Sequence, residues 1–86
     1  MSIIVRAFGH VAGTLGTKEL NLEVPSLTVA ALLARLNDSF GDAGTQISKE
    51  NVLIAIDGVE ISAIDGDRSL IHERNTVSLI PVSHGG

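Results

Sequence analysis

Val29, Leu32, Leu33, Leu36 and Phe40 are apolar at spacings i, i+3, i+4, i+7 and i+11, which is one continuous face of an α-helix. Thr28 stands where an N-cap belongs, and Ala30, Ala31 and Ala34 add intrinsic helix propensity. Gly41 is placed to end the segment. This is the one long helix that the sequence predicts, and one helix can cover one face of one sheet. The chain is therefore restricted to an α+β architecture, a single mixed β-sheet packed on one main α-helix.

The strand signals fit that frame. Ile3 to Phe8 is rich in β-branched and aromatic types and reads as a strand. The stretch 9–17 carries Gly9, Gly13 and Gly16 and reads as a loop. Leu20-Asn21-Leu22-Glu23-Val24 alternates without a miss, so Leu20, Leu22 and Val24 point inward from a half-buried strand that Pro25 ends. These two strands form a hairpin with a long connection. Residues 42–51 are polar and read as a surface loop. Val52-Leu53-Ile54-Ala55-Ile56 has the apolar content of an interior strand covered on both faces. Asp57-Gly58 is a two-residue hairpin signal, with Val59-Glu60-Ile61 as the return strand. Leu70 and Ile71 are expected to reach into the core, and Thr76 to Pro81 is the last strand. The predicted order is β-β-α-β-β-β. No repeat or interdomain linker interrupts it, which leaves one domain over 1–81 and a flexible tail over 82–86.

That tail closes the stretch PVSHGG. Two glycines lose more freedom on ordering than any other pair and contribute no side chain to a core. They are thus either incidental or something for another molecule to hold. Strand alternation adds a second candidate. Ile4 and Phe8 face opposite to Ile3, Val5 and Ala7, and Ile80 and Val82 face opposite to Val77 and Leu79. One set lies under the helix and the other forms an exposed apolar patch of the kind that marks partner surfaces; the sequence leaves open which. Phe8, Ile80 and Val82 are the candidate partner surface, with His84 on the tail as a weaker member.

Several chemistries find no support. The six basic residues are scattered singly, only two aromatics occur and the net charge is −4, which argues against nucleic-acid binding and favours a basic partner. With no cysteine, disulfides, thiol catalysis and iron–sulfur clusters are excluded. His10 and His72 lack a third ligand at metal spacing, so no metal site is expected. Asp65, Asp67 and Glu73 read as a solvated acidic stretch. Gly9, Gly13 and Gly16 are followed by no Lys-Ser/Thr and so make no phosphate loop. No apolar run has the length of a membrane span, and the amino terminus has no signal-peptide pattern. The expected location is the cytoplasm.

An N-terminal hairpin, a helix opening TVAALL, the hairpin IAIDGVEI and the ending LIPVSHGG occur together and in order. In this the chain resembles, end to end, the ubiquitin-like β-grasp sulfur carriers. These comprise the small subunit of molybdopterin synthase, the thiamine-pathway sulfur carrier and the archaeal small modifier proteins. It departs from them in having His84 where a small residue usually precedes the glycines, and Arg74-Asn75 where Gly-Asp is common.

The resemblance implies a β-grasp with first and last strands adjacent and parallel in the middle of the sheet. It also implies a carrier rather than an enzyme, acting through the terminal carboxylate of Gly86. An ATP-dependent adenylating enzyme would convert that carboxylate to an acyl-adenylate, with no cofactor held by the carrier itself. A sulfur donor would then leave a thiocarboxylate for the molybdopterin synthase large subunit or another sulfur acceptor. In a modifier, lysines of protein substrates would accept the acyl group, and Lys18 and Lys49 are candidate acceptors within this chain. The five residues after Pro81 span roughly 17 Å when extended, enough to enter a partner's site, and Gly85 and Gly86 would pass a narrow channel. The competing reading is a β-grasp protein-binding module whose Gly-Gly tail is incidental.

Overall fold

The computed structural model describes residues 1–40 and 46–82. Its strands are β1 (Ile3–Ala7), β2 (Glu19–Leu22), β3 (Ser26–Thr28), β4 (Val52–Ile56), β5 (Val59–Glu60), β6 (Leu70–His72) and β7 (Thr76–Pro81). Two helices, α1 (Gly9–Leu15) and α2 (Val29–Phe40), and two short 3₁₀ turns complete them. Five strands form one mixed sheet in the order β2-β1-β7-β4-β5, and β3 and β6 pair separately as a two-stranded ribbon. β1 and β7 lie side by side and parallel, from Ile4 opposite Thr76 to Ala7 opposite Leu79. This is the α+β class that the sequence predicts, with the first and last strands adjacent in the middle.

One face of the sheet is the core. Ile3, Val5 and Ala7 of β1, Val77 and Leu79 of β7 and Ile54 and Ile56 of β4 are buried together with Val29, Leu32 and Leu36 of α2. Leu33 and Phe40 pack at the margin, so the predicted helical face is the one that meets the sheet. The Thr28 hydroxyl accepts from the Ala31 amide at 3.1 Å, the N-cap bond expected of it. Gly41 and residues 42–45 lie outside the described residues. Beyond them the Asn37 side chain donates to the Ile47 carbonyl and accepts from its amide, each at 2.8 Å, which holds Ile47 in the core.

At Asp57-Gly58 both residues have positive φ, 48° and 84°, as a type I′ hairpin turn requires. Asp57 also ties this hairpin to the start of β7. Its carboxylate accepts from the Thr76 amide at 2.8 Å and from the Asn75 side chain at 2.6 Å. Arg74, where the resembled family commonly has glycine, holds a left-handed φ of 74° and donates its amide to the Ser2 carbonyl.

Several local expectations are overturned. Residues 9–15 are a helix, α1, rather than a loop. Val11 and Leu15, one turn apart, are both buried, and that burial outweighs the low propensity of the glycines. Gly16, at φ 75°, closes the helix by donating to the Gly13 carbonyl while Thr17 donates to Ala12, a Schellman ending. Ser26–Thr28, to which the sequence assigns no strand, is one because β6 pairs with it. The return strand stops at Glu60, whose carboxylate accepts from the Ser62 amide and starts the 3₁₀ turn that buries Ile61. Ile71 is buried, but Leu70 points outward at 50% exposure because adjacent residues of a strand face opposite sides. β4 is not covered on both faces along its whole length: Leu53 is open to solvent, while Ala55 on the same face is buried.

Gly13, inside α1, and Gly16, which caps it, make opposite demands. A Cβ on Gly13 would meet nothing within 4 Å, and its φ is not positive. Gly13→Ala is expected to raise stability in urea unfolding by about 0.5–1 kcal/mol. Gly16→Ala, forced into the left-handed region, is expected to lower it by roughly 1–2 kcal/mol.

Candidate functional site

The outward face of the sheet is built in rows, because residues paired across strands point to the same side. One row runs from Glu60 through Ala55, Ser78 and Arg6 to Glu19. It is polar: Arg6 and Glu19 form an ion pair at 3.5 Å. The Glu60 carboxyl is held below its ordinary range first by the Ser62 hydroxyl and then by the Ser62 amide, so it stays charged. A second row, at the end where β7 finishes, is apolar. Leu53 pairs with Ile80, and Phe8 follows Ala7, the partner of Leu79, which brings it alongside Ile80.

Phe8, Leu53, Ile80 and Val82 are exposed by 46, 40, 40 and 42%. The set opposite Phe8 and Ile80, namely Ile3, Val5, Ala7, Val77 and Leu79, is the one beneath α2. This settles which of the two faces is open. Leu53 belongs to the open strip although the sequence did not single it out. Within VLIAI every position is apolar, and only its pairing with Ile80 shows which way it faces.

The strip lies at the root of the tail. Phe8 donates its amide to the Leu79 carbonyl at 3.1 Å on the β1 side of β7. Val82 donates its amide to the Asn51 carbonyl at 3.1 Å on the β4 side, one residue past the strand. Asn51 is itself fixed, since its side chain accepts from the Ser48 amide at 2.9 Å and donates to the Gln46 carbonyl at 2.6 Å. His84, Gly85 and Gly86 lie outside the described residues, so the structure reaches the tail only at its first residue.

The two lysines differ in setting. Lys49 pairs with Asp67 at 3.6 Å. Lys18 lines a groove with Arg6, Phe8, Gly9, Ala12 and Glu19, next to the apolar strip. His10 is on α1 and His72 on β6. Among the described residues no group of three or more histidine or acidic side chains gathers that could hold a metal ion, and no helix is long and apolar enough to cross a membrane.

No protein-family model and no curated protein matches the chain. Solved structures do. The chain is similar to the HVO 2177 protein of Haloferax volcanii, at 26% identity over 100% of this chain and 87% of that one, with a TM-score of 0.79. It is similar to small archaeal modifier protein 1 of Methanosarcina acetivorans, at 24% identity over 99% and 96% of the two chains and a TM-score of 0.76. A Pyrococcus furiosus protein described as subunit 1 of a molybdopterin converting factor matches at 16% identity, over 96% and 99%, with a TM-score of 0.77. At these identities the shared property is the fold, and it extends over nearly the whole length of each chain.

The assignment of faces has a direct check in urea unfolding. Phe8→Glu and Ile80→Glu are expected to stay within about 0.5 kcal/mol of the native protein, as exposed positions do. Leu79→Ala, on the neighbouring residue but the opposite face, is expected to cost about 2–5 kcal/mol.

Proposed function

Because this chain is a ubiquitin-like β-grasp protein, built like the small sulfur carriers and modifiers, we propose that it is a carrier whose working group is the Gly86 carboxylate. The observation that carries this reading is the coincidence of three features at one end of the sheet. β7 ends there, the open apolar strip of Phe8, Leu53, Ile80 and Val82 lies there, and the chain runs on from there to Gly85 and Gly86. A partner seated on the strip would receive the tail directly.

In this reading an adenylating enzyme docks on the strip. A Gly86 carboxylate oxygen attacks the α-phosphorus of ATP, pyrophosphate leaves, and the acyl carbon becomes electrophilic as a mixed anhydride with AMP. Sulfide equivalents from a donor displace AMP and leave a thiocarboxylate. Its sulfur then passes, at the sulfide level, to an acceptor held by a synthase large subunit of the molybdopterin type or to another acceptor, and water restores the Gly86 carboxylate. Alternatively a lysine amine of a protein substrate displaces AMP, loses a proton and forms an isopeptide bond; on this chain Lys18 and Lys49 are the available acceptors. The carrier's own side chains take no catalytic part and hold no cofactor; ATP belongs to the activating enzyme. The setting is the cytoplasm, where such enzymes and ATP are found together.

Intact-mass measurement of the protein from its native host is expected to show Gly86 as the terminal residue, with either an oxygen replaced by sulfur or covalent conjugates. Deleting Gly85 and Gly86 is expected to abolish ATP-dependent pyrophosphate release by the activating enzyme while leaving the urea midpoint unchanged. Persistence of function after that deletion would instead support a plain binding module. Phe8→Glu is expected to weaken binding of the activating enzyme about tenfold or more in a pull-down or calorimetric titration, with folding intact; unchanged binding would remove the strip from the interface.

A further inference from the structure

Resting on the carrier reading above, we propose that Gly9 is a positioning residue. By lacking a Cβ it lets the Pro81 ring seat against the head of α1, and this seat sets the direction in which the tail leaves the sheet. Of the described glycines, Gly9 alone would meet a neighbour if it carried a Cβ. That atom would stand 2.9 Å from Pro81 Cγ, 3.6 Å from Cδ and 4.0 Å from Cβ. Only the first distance is a collision. The ring is tied to the backbone at both ends, so Cγ cannot swing aside as the tip of a flexible side chain would. Relief has to come from moving the Pro81 backbone, and Pro81 is the last residue of β7.

The hydrogen bonding around Pro81 makes the seat matter. Along β7, Leu79 directs its carbonyl to β1, where Phe8 donates to it, and Val82 directs its amide to the β4 side, where Asn51 accepts. By strand alternation the nitrogen of Pro81 faces the β1 side. β1 has ended there at Ala7, and the chain has turned into α1 through Gly9, at a left-handed φ of 54°. No strand remains to bond that position, so a residue without an N–H costs nothing there. With no ladder on this side, the contact between the Pro81 ring and Gly9 takes over the guiding role. Opposite it stands the bond from Val82 to Asn51. The tail's root is thus held between Gly9 on one side and Asn51 on the other.

A substitution cycle tests this. Gly9→Ala introduces two effects, the cost of a left-handed alanine and the collision with the ring. Gly9→Ala combined with Pro81→Ala retains the first and removes the second, because the atom left at position 81, its Cβ, lies at the ordinary distance of 4.0 Å. The primary readout is hydrogen exchange of the Val82 amide by NMR, normalised to the Leu79 amide so that global destabilisation cancels. The expected result is a loss of Val82 protection, relative to Leu79, of about tenfold or more in Gly9→Ala, and its recovery in the double variant. Unchanged relative protection in Gly9→Ala, or a loss that Pro81→Ala does not restore, overturns the proposal. The second readout is pyrophosphate release by the activating enzyme. There Gly9→Ala is expected to raise KM for the carrier severalfold with kcat near the native value, and the double variant to restore KM. A native protein that supports no pyrophosphate release at all refutes the carrier reading, while the exchange cycle still decides whether Gly9 positions the root of the tail.

Discussion

The parallel ladder between β1 and β7 is the interaction on which the rest of the molecule depends. It joins the first strand of the chain to the last, in the middle of the sheet, with β2 and β4 on either side. Closing a loop of nearly the whole chain has an entropic cost that grows only slowly with length, and the return is large. Ile3, Val5 and Ala7 are brought beside Val77 and Leu79, and α2 then covers one continuous aliphatic surface. Without cysteines or more than two aromatics, a domain of this size has few other means of stabilisation. Asp57 supports the same junction from the side. Its carboxylate holds Asn75 and Thr76, so that β7 starts in register with the β4–β5 hairpin.

The ladder also determines which side chains of the sheet face solvent. Every residue placed under α2 obliges its neighbours in β1 and β7 to face outward. Toward the start of β7 the outward positions are polar and partly satisfied within the sheet, as with Arg6 and Glu19. Toward its end they are Phe8, Ile80 and Val82, joined by Leu53 from β4. An aliphatic and aromatic strip of this kind has a cost in water that partner binding would relieve. The strip reaches Val82, the residue with which the tail begins. Adjacent Lys18 and Arg6 place positive charge near one end of the strip, and Glu60 lies along the neighbouring row, in a chain that is acidic as a whole.

Where the sequence was legible, local physics and tertiary context agreed. α2 has a cap, alanines and an unbroken apolar face, and the fold asks nothing else of it. Asp57-Gly58 demanded a turn with positive φ at both residues and formed one. α1 was not legible, because Gly9, Gly13 and Gly16 are weak helix formers and only seven residues are involved. Its signal was Val11 and Leu15 at i and i+4, too short to read until the sheet supplied a surface for them to cover. β3 was invisible for a related reason. A three-residue strand exists only because β6 runs beside it. Leu53 and Leu70 sit in apolar runs, where composition carries no information on direction.

By itself the sequence determined the class of fold, one sheet beneath one principal helix, since period-2 and period-3.6 patterns are properties of the chain's own geometry. It also determined two sets of apolar residues on opposite sides of β1 and β7, and the pair of glycines beyond them. Only the tertiary structure decided which set α2 would cover, that Leu53 would join the other, and that the Pro81 ring would rest on Gly9. Those outcomes depend on which strands become neighbours, and pairing between distant segments is decided by the packing of the whole domain rather than by any local run of residues.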